Sequence, residues 1–323
     1  MRTLPRNILE QQTANRRNTI LVMAAFVAFL GCLGMGFDFF LLGFAEGRSA
    51  LPLGTSLALA IGSAGAIWSL EKGATTVLLS SCARPVADSD PRYQQLRNII
   101  EEMSIASGLP RPQLYSIPDP DPNAFATGKD PDHACIVVTE GLLDRLTREE
   151  LQAVVAHEMS HVRNYDTRVM TVVAALIGTV MLLSEFGLRT MRFGGGRRRG
   201  GVSRLGGPVG AIVFALWLLA LILTPLISQL LALAVSRQRE YLADASASEL
   251  TRNPGALASA LEKIDAAVEP TRLIKKGTSH LCIADPLGRR VNSKEGFVAE
   301  LFSTHPPIGK RIVLLRAMAY HGV

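Results

Sequence analysis

LQAVVAHEMSHVRNYD, residues 151–166, carries His157 and His161 four apart with Glu158 beside the first. An α-helix turns once every 3.6 residues, so both imidazoles leave one face about a turn apart and can supply two ligands of a tetrahedral metal site. Glu158 then stands where a carboxylate can take a proton from the attacking water. The helix is predicted independently. Thr147-Arg148-Glu149-Glu150 reads as a capping box, with Thr147 as N-cap and Glu150 reaching back, and Leu151, Val154 and Val155 form an apolar face. HExxH fixes only three positions, and a solvated His pair satisfies it equally, so a third ligand has to decide.

That ligand is found far downstream, in SRQREYLAD, residues 236–244. Glu240 and Asp244 are again four apart, so on a helix one carboxylate can bind metal while the other orients a histidine through its second ring nitrogen. A charged surface turn after a membrane segment would carry the same residues. Height favours the ligand reading: Glu240 follows an apolar window by about five residues and His161 precedes another by about eight, so both reach one level above a bilayer.

Those windows dominate the composition. Residues 20–45 (interrupted by Asp38), 51–70, 169–188 (with Glu185 near its end) and 209–235 are strongly apolar. A bilayer core of about 30 Å needs roughly 20 helical residues, which the first, second and fourth meet easily and the third narrowly. The first is too long for a signal peptide and is followed directly by another, so it reads as a retained anchor. With 323 residues, the chain has room for a membrane part and a catalytic part. The divisions expected are 1–72, a tail and first hairpin; 73–168, the HExxH part; 169–235, a second apolar pair; and 236–323, the part bearing the third ligand.

Net charge is +6, and Arg189, Arg192, Arg197, Arg198, Arg199 and Arg204 account for it within one acid-free, Gly-rich loop. The rest is balanced, so no nucleic-acid surface is implied; a flexible basic linker lying on anionic lipid headgroups is the plainer reading. Cys32, Cys82, Cys135 and Cys282 show no CxxC spacing and fit reduced thiols in a cytoplasm-facing protein.

Arg2, Arg6, Arg16 and Arg17 precede the first window whereas residues 46–50 hold one Arg, so the tail is expected inside, with Trp68 anchoring the inner end of the first hairpin. His157 and Glu240 can share an ion only if the two windows between them cross an even number of times. If that pair spans, its six arginines lie outside, against the positive-inside rule. Either the catalytic fold overrides the rule, or these windows pack partly against the protein and keep the loop inside.

Between the hairpin and the HExxH helix, Asp90-Pro91 opens a helix whose Tyr93, Leu96, Ile99, Ile100 and Met103 share a face until Gly108-Leu109-Pro110 stops it. Residues 113–117 and 134–139 read as strands, separated by Pro118-Asp119-Pro120-Asp121-Pro122. The Asn123-Ala124-Phe125-Ala126-Thr127-Gly128 that follows is either a strand whose edge can hold an extended peptide, through Asn123 and Ala124, or a bare turn. If the HExxH helix runs on to Val169 it rises about 12 Å, which sets the metal close to the membrane surface. Asn253-Pro254 opens another helix, and Thr304-His305-Pro306-Pro307-Ile308-Gly309-Lys310-Arg311 precedes the last one. His305 and Arg311 can support an oxyanion, or they are a Pro-rich helix start with a surface Arg.

Taken together, HEMSH, SRQREYLAD, NAFATG and THPPIGKR resemble, in content and order, an HtpX-type membrane zinc metallopeptidase, a family related to the CAAX prenyl endopeptidases. The resemblance covers nearly the whole chain. It implies a mainly α fold with a small β-sheet, an integral membrane protein with two helical hairpins and a gluzincin-like catalytic domain. It further implies one zinc ion per chain held by His157, His161 and Glu240, Glu158 as general base and acid, and Asp244 as partner of the ExxxD motif. Asn123 and Ala124 belong on the substrate edge, and His305 and Arg311 near the oxyanion. The implied activity is endoproteolysis of damaged or misassembled membrane proteins at the cytoplasmic face of the inner membrane. The Gly/Arg-rich loop is not part of the family pattern. A prenyl-protein processing enzyme and a non-catalytic membrane scaffold with a metal site are the other readings; a farnesylated peptide assay and chelator-sensitive self-cleavage separate them.

Overall fold

Two long helices answer the first two apolar windows: α1, Ile8–Phe40, and α2, Leu53–Ser80. At 1.5 Å per residue, α2 alone is about 42 Å long. Both are long and apolar enough to cross a membrane. The structure is a computed structural model, and it describes residues 8–40, 51–177, 237–267, 273, 278, 281–284 and 306–321. Small residues let the two helices approach closely: a Cβ added at Gly34 would lie 2.6 Å from the Gly54 carbonyl oxygen and 2.7 Å from the Ala58 Cβ. Asp38, the acid that interrupts the first window, has a structural reason. Pro52 at the α2 N-cap offers no side-chain acceptor. Asp38 supplies one from α1, accepting from the backbone N–H of Gly54 at 2.6 Å and of Thr55 at 2.7 Å. Trp68, Ile67, Leu57 and Leu79 face outward and are exposed.

The helix expected from Pro91 opens instead as a short 3₁₀ turn, Pro91–Tyr93, whose first turn is capped by Asp90 accepting from the Arg92 N–H. Then α3, Gln94–Ser107, runs until Gly108 takes a left-handed φ of 68°. Its buried Leu96, Ile99, Ile100 and Met103 join the main core. Each such side chain contributes roughly 1.5–3 kcal/mol by leaving water.

The sheet has four strands: β1, Arg84–Pro85; β2, Gln113–Ile117; β3, Ala124–Thr127; and β4, Cys135–Thr139. Their order is β1-β2-β4-β3. β2 and β4 are parallel, while β3 pairs antiparallel with β4 in the register Ala124 to Val138 and Thr127 to Cys135. The Asn123–Thr127 stretch is therefore an edge strand and not a bare turn. After β4 come α4, Glu140–Arg145, and α5, Arg148–Arg163. α5 starts with the predicted box: Glu150 Oε2 accepts from the Thr147 N–H at 2.8 Å, and Thr147 Oγ1 accepts from the Glu150 N–H at 3.4 Å. Almost every residue of α5 is buried.

One expectation needs correcting here. α5 does not continue into the third apolar window; it ends at Asn164, and Tyr165 turns the chain with φ 59°. A new helix, α6, takes up residues 166–177. Its Val172 and Leu176 pack on Phe26 and Leu30 of α1, and its Met170 and Ala174 pack with Phe125 and Val137 of the sheet. The start of the third window is thus buried protein interior, joining the first hairpin to the sheet. The remainder of that window, the Gly/Arg-rich loop and the fourth window lie outside the described residues. The described chain resumes with α7, Arg237–Thr251, then α8, Pro254–Asp265, capped by Asn253 accepting from the Ala256 N–H at 3.1 Å, and α9, Ile308–His321. α7 and α8 pack on α5, and α9 packs on α8 and α7, completing a mainly helical unit with one small sheet.

Candidate metal centre

The middle of α5 and the first turn of α7 meet face to face. His157 Nε2 and His161 Nε2 are 3.2 Å apart. Glu240, from α7, brings its carboxylate oxygens to 3.7 Å from the first and 3.5 Å from the second. All three side chains are buried and their ligand atoms lie within 4.8 Å of one another. For Zn–N and Zn–O bonds near 2.1 Å, the edges of a tetrahedron are about 3.4 Å, so the donor set fits a tetrahedral ion with little adjustment. The chemistry fits too. Two imidazole nitrogens and a carboxylate converge in a dry interior, where each alone would be costly to desolvate.

Each histidine is held from behind. Asp244 Oδ1 lies 3.0 Å from His157 Nδ1, and Asp166 Oδ2 lies 3.2 Å from His161 Nδ1. A carboxylate on Nδ1 fixes the ring and turns the Nε2 lone pair toward the shared point. Asp244, expected to orient a histidine, lies against His157. Asp166 was missed, because the sequence reading treated residues 151–166 as one helix, on which a residue five beyond His161 sits about 140° around the axis. The break at Asn164-Tyr165 brings it back. The overlooked signal was an acid two residues after the helix-ending Asn164.

Arg311, the first-turn residue of α9 that could have been a surface Arg, is fully buried. Its Nε and Nη2 donate to Asp244 at 2.8 and 2.7 Å, Nη1 lies 3.2 Å from Glu240 Oε2, and Nη1 also donates to the Ile283 carbonyl at 2.8 Å. Burial alone would raise the Asp244 carboxyl, but the Arg311 charge and His157 hold it below the ordinary carboxylate range. Burial works against a charged His161, yet the hydrogen bond to Asp166 and the charge of Glu240 push it up to about 9. Glu158 is buried beside the cluster, its carboxyl raised chiefly by that burial, and its Oε1 has no hydrogen-bond partner among the described residues.

The β3 edge borders this group. Asn123 pairs its carbonyl with the Thr139 N–H of β4, so by alternation Ala124 and Ala126 turn their backbone groups away from the sheet. The Ala126 N–H reaches Glu158, and the Ala124 carbonyl accepts from the Ile283 N–H at 2.9 Å. Asn123 Nδ2 donates to the Ala284 carbonyl at 3.1 Å. The edge expected to hold an extended peptide is therefore next to the cluster, and part of it is already covered by residues 281–284. His305 lies outside the described residues.

The comparisons agree with this geometry. Residues 91–319 match the model of peptidase family M48. The chain is 40% identical to a protein named Protease HtpX homolog from Ligilactobacillus salivarius over 313 residues, covering 96% of this chain and 100% of that one. It is likewise 40% identical over 315 residues to the protein of the same name from Caldanaerobacter subterraneus subsp. tengcongensis, covering 97% and 98%. The crystal structure of S. mikatae Ste24p is similar at a TM-score of 0.47 and 18% identity, covering 95% of this chain and 67% of that chain. A family match spanning the HExxH helix, the Glu240 helix and Arg311, with near full-length relatives, means that this chain belongs to peptidase family M48, among its HtpX-type members.

Proposed function

We propose that the chain is a zinc-dependent endopeptidase of the membrane that cuts damaged or misfolded membrane proteins on the cytoplasmic side, as part of protein quality control. The observation that carries this reading is the convergence of His157, His161 and Glu240 beside the buried carboxylate of Glu158. In this reading one zinc ion is held by those three residues, and when bound it supplies Lewis-acid polarisation of the scissile carbonyl and acidification of water. Glu158 takes the proton of the attacking water and later delivers it to the leaving amine. The Ala126 N–H on its carboxylate keeps it pointed at the cleft. Asp244 and Asp166 occupy the Nδ1 sides of the two rings, and Arg311 fixes Asp244 from the opposite side.

Substrate is proposed to lie as an extended strand along β3, with Asn123 and Ala124 as its contacts, because backbone pairing holds protein of almost any sequence. Pairing at Ala124 requires residues 281–284 to yield its carbonyl. Arg311, and His305 from the segment before α9, are the proposed supports of the oxyanion. We also assign residues 73–168 and 236–323 to one catalytic unit, with 1–72 and 169–235 as its membrane hairpins. The direct burial of α6 between α1 and the sheet supports a catalytic unit seated against the bilayer. Its orientation toward the cytoplasm rests on the arginines ahead of the first apolar window.

The test is metal content against cleavage. Purified wild type is expected to bind one zinc and to cut a membrane-protein substrate in a chelator-sensitive way, while Glu240→Ala loses zinc. Full zinc retention by Glu240→Ala would move the third ligand elsewhere.

A further inference from the structure

Outside the ligand set, a buried polar cluster joins the first long helix to the end of α5. Asn15, on α1, is buried although it lies near the start of an apolar helix. Its Nδ2 donates to the Asn164 carbonyl at 2.7 Å and to Asp166 Oδ1 at 2.7 Å. Both partners are acceptors, so the amide orientation is fixed by chemistry and both of its N–H groups are used. Asp166 is fully buried and divides its oxygens: Oδ1 faces Asn15, with Arg239 Nη1 at 3.5 Å, and Oδ2 faces His161 Nδ1 at 3.2 Å. Neighbouring contacts dock the same helix without touching Asp166. Gln12 Nε2 donates to the Arg163 carbonyl at 2.8 Å, and the Arg16 guanidinium lies 4.6 Å from the centre of the Tyr165 ring.

We propose that Asn15 is a positioning residue for the metal site: it holds Asp166 in the one orientation that fixes the ring of His161, so the first membrane helix forms part of the ligand support. The physical reason is rotational. A carboxylate at the head of a helix can turn about its χ2, and a free one would present either oxygen to His161 at a range of angles. Asn15 pins the far oxygen, and the chain break at Tyr165, which α1 also clasps, sets the backbone from which Asp166 projects. Losing a partner behind a metal-binding histidine typically weakens the metal by about 10–100-fold, and Asn15 acts one bond further out. The anchor thus does more than retain the enzyme at the bilayer. This proposal rests on the metal reading given above.

The experiment uses the full-length protein in detergent and measures zinc affinity by competition with a chromophoric chelator. Asn15→Ala is expected to weaken zinc binding by about 3–10-fold, with Gln12→Ala changing it by less than about twofold. In an Asp166→Ala background, adding Asn15→Ala should change zinc affinity no further, since the relay is already cut. Asn15→Ser, which keeps one donor, should fall between Ala and wild type and serves if Asn15→Ala does not fold. The visible bands of the cobalt-substituted protein should shift in Asn15→Ala and not in Gln12→Ala. Equal effects of Asn15→Ala and Gln12→Ala, or an undiminished Asn15 effect without Asp166, would overturn the proposal and reduce Asn15 to a docking contact. Failure of the underlying metal reading looks different: wild type itself then binds zinc no better than His161→Ala.

Discussion

Arg311 grips Asp244 through two parallel hydrogen bonds, Nε to Oδ2 at 2.8 Å and Nη2 to Oδ1 at 2.7 Å, in a site closed to solvent. The same guanidinium lies 3.2 Å from Glu240. One cation therefore balances two buried carboxylates that come from a helix 67 residues earlier in the chain, as counted from Asp244. Removing it takes away the cation that faces both, which costs roughly 3–5 kcal/mol for a broken buried pair. Arg311→Ala is expected to lower thermal stability sharply in detergent, and Arg311→Lys to recover only part, because an ammonium cannot reproduce the fork. An Arg311→Ala protein of unchanged stability that had lost only turnover would assign Arg311 to the oxyanion alone.

Glu150 gives a pH-dependent prediction. Burial would raise its carboxyl, but hydrogen bonds from Lys263 at 2.7 Å, Ser259 at 2.6 Å and the Thr147 N–H hold it below the usual value of 4.5. A carboxylate lowered on folding stabilises the protein above its unfolded pKa, and that stability is lost as pH falls through the folded value. Lys263 is partly exposed, so screening limits the gain. Glu150→Gln is expected to cost about 1–2 kcal/mol at pH 7, with the gap to wild type narrowing in thermal melts as pH falls below the usual carboxyl value of 4.5. A gap independent of pH would mean that the neutral side chain caps the helix just as well.

The sequence carried the site further than the membrane part. HExxH, the capping box and the Glu240/Asp244 spacing each lie within a single helix, two on α5 and one on α7, and such local patterns survive translation into structure. The same reading went wrong at Asn164-Tyr165, where nothing in the residue types demands a left-handed turn. That turn is held by Asn15 and Arg16 from about 150 residues away. Burial of Arg311 was equally hidden, since a Pro-rich stretch before a charged helix looks alike whether the Arg meets water or two acids. Asp38, read only as an interruption of a span, proved to be the cap of the next helix.

The covered edge of β3 makes a prediction about substrate binding. The Ile283 N–H is bonded to the Ala124 carbonyl at 2.9 Å, where a substrate strand would pair. Binding of an extended, non-cleavable peptide hydroxamate should therefore speed hydrogen–deuterium exchange at the Ile283 amide. Unchanged or slowed exchange there would mean that the peptide lies elsewhere.

The central claim is that Glu158 performs the proton transfers beside a metal held by His157, His161 and Glu240, and replacing that carboxylate with its amide tests it most directly. Zinc stoichiometry and cleavage of a membrane-protein substrate are measured together for wild type and Glu158→Gln. The expected result is one zinc in both proteins and a loss of turnover of about 10²–10⁴-fold in the variant. A Glu158→Gln protein that keeps its zinc and still cuts at the wild-type rate would contradict the account.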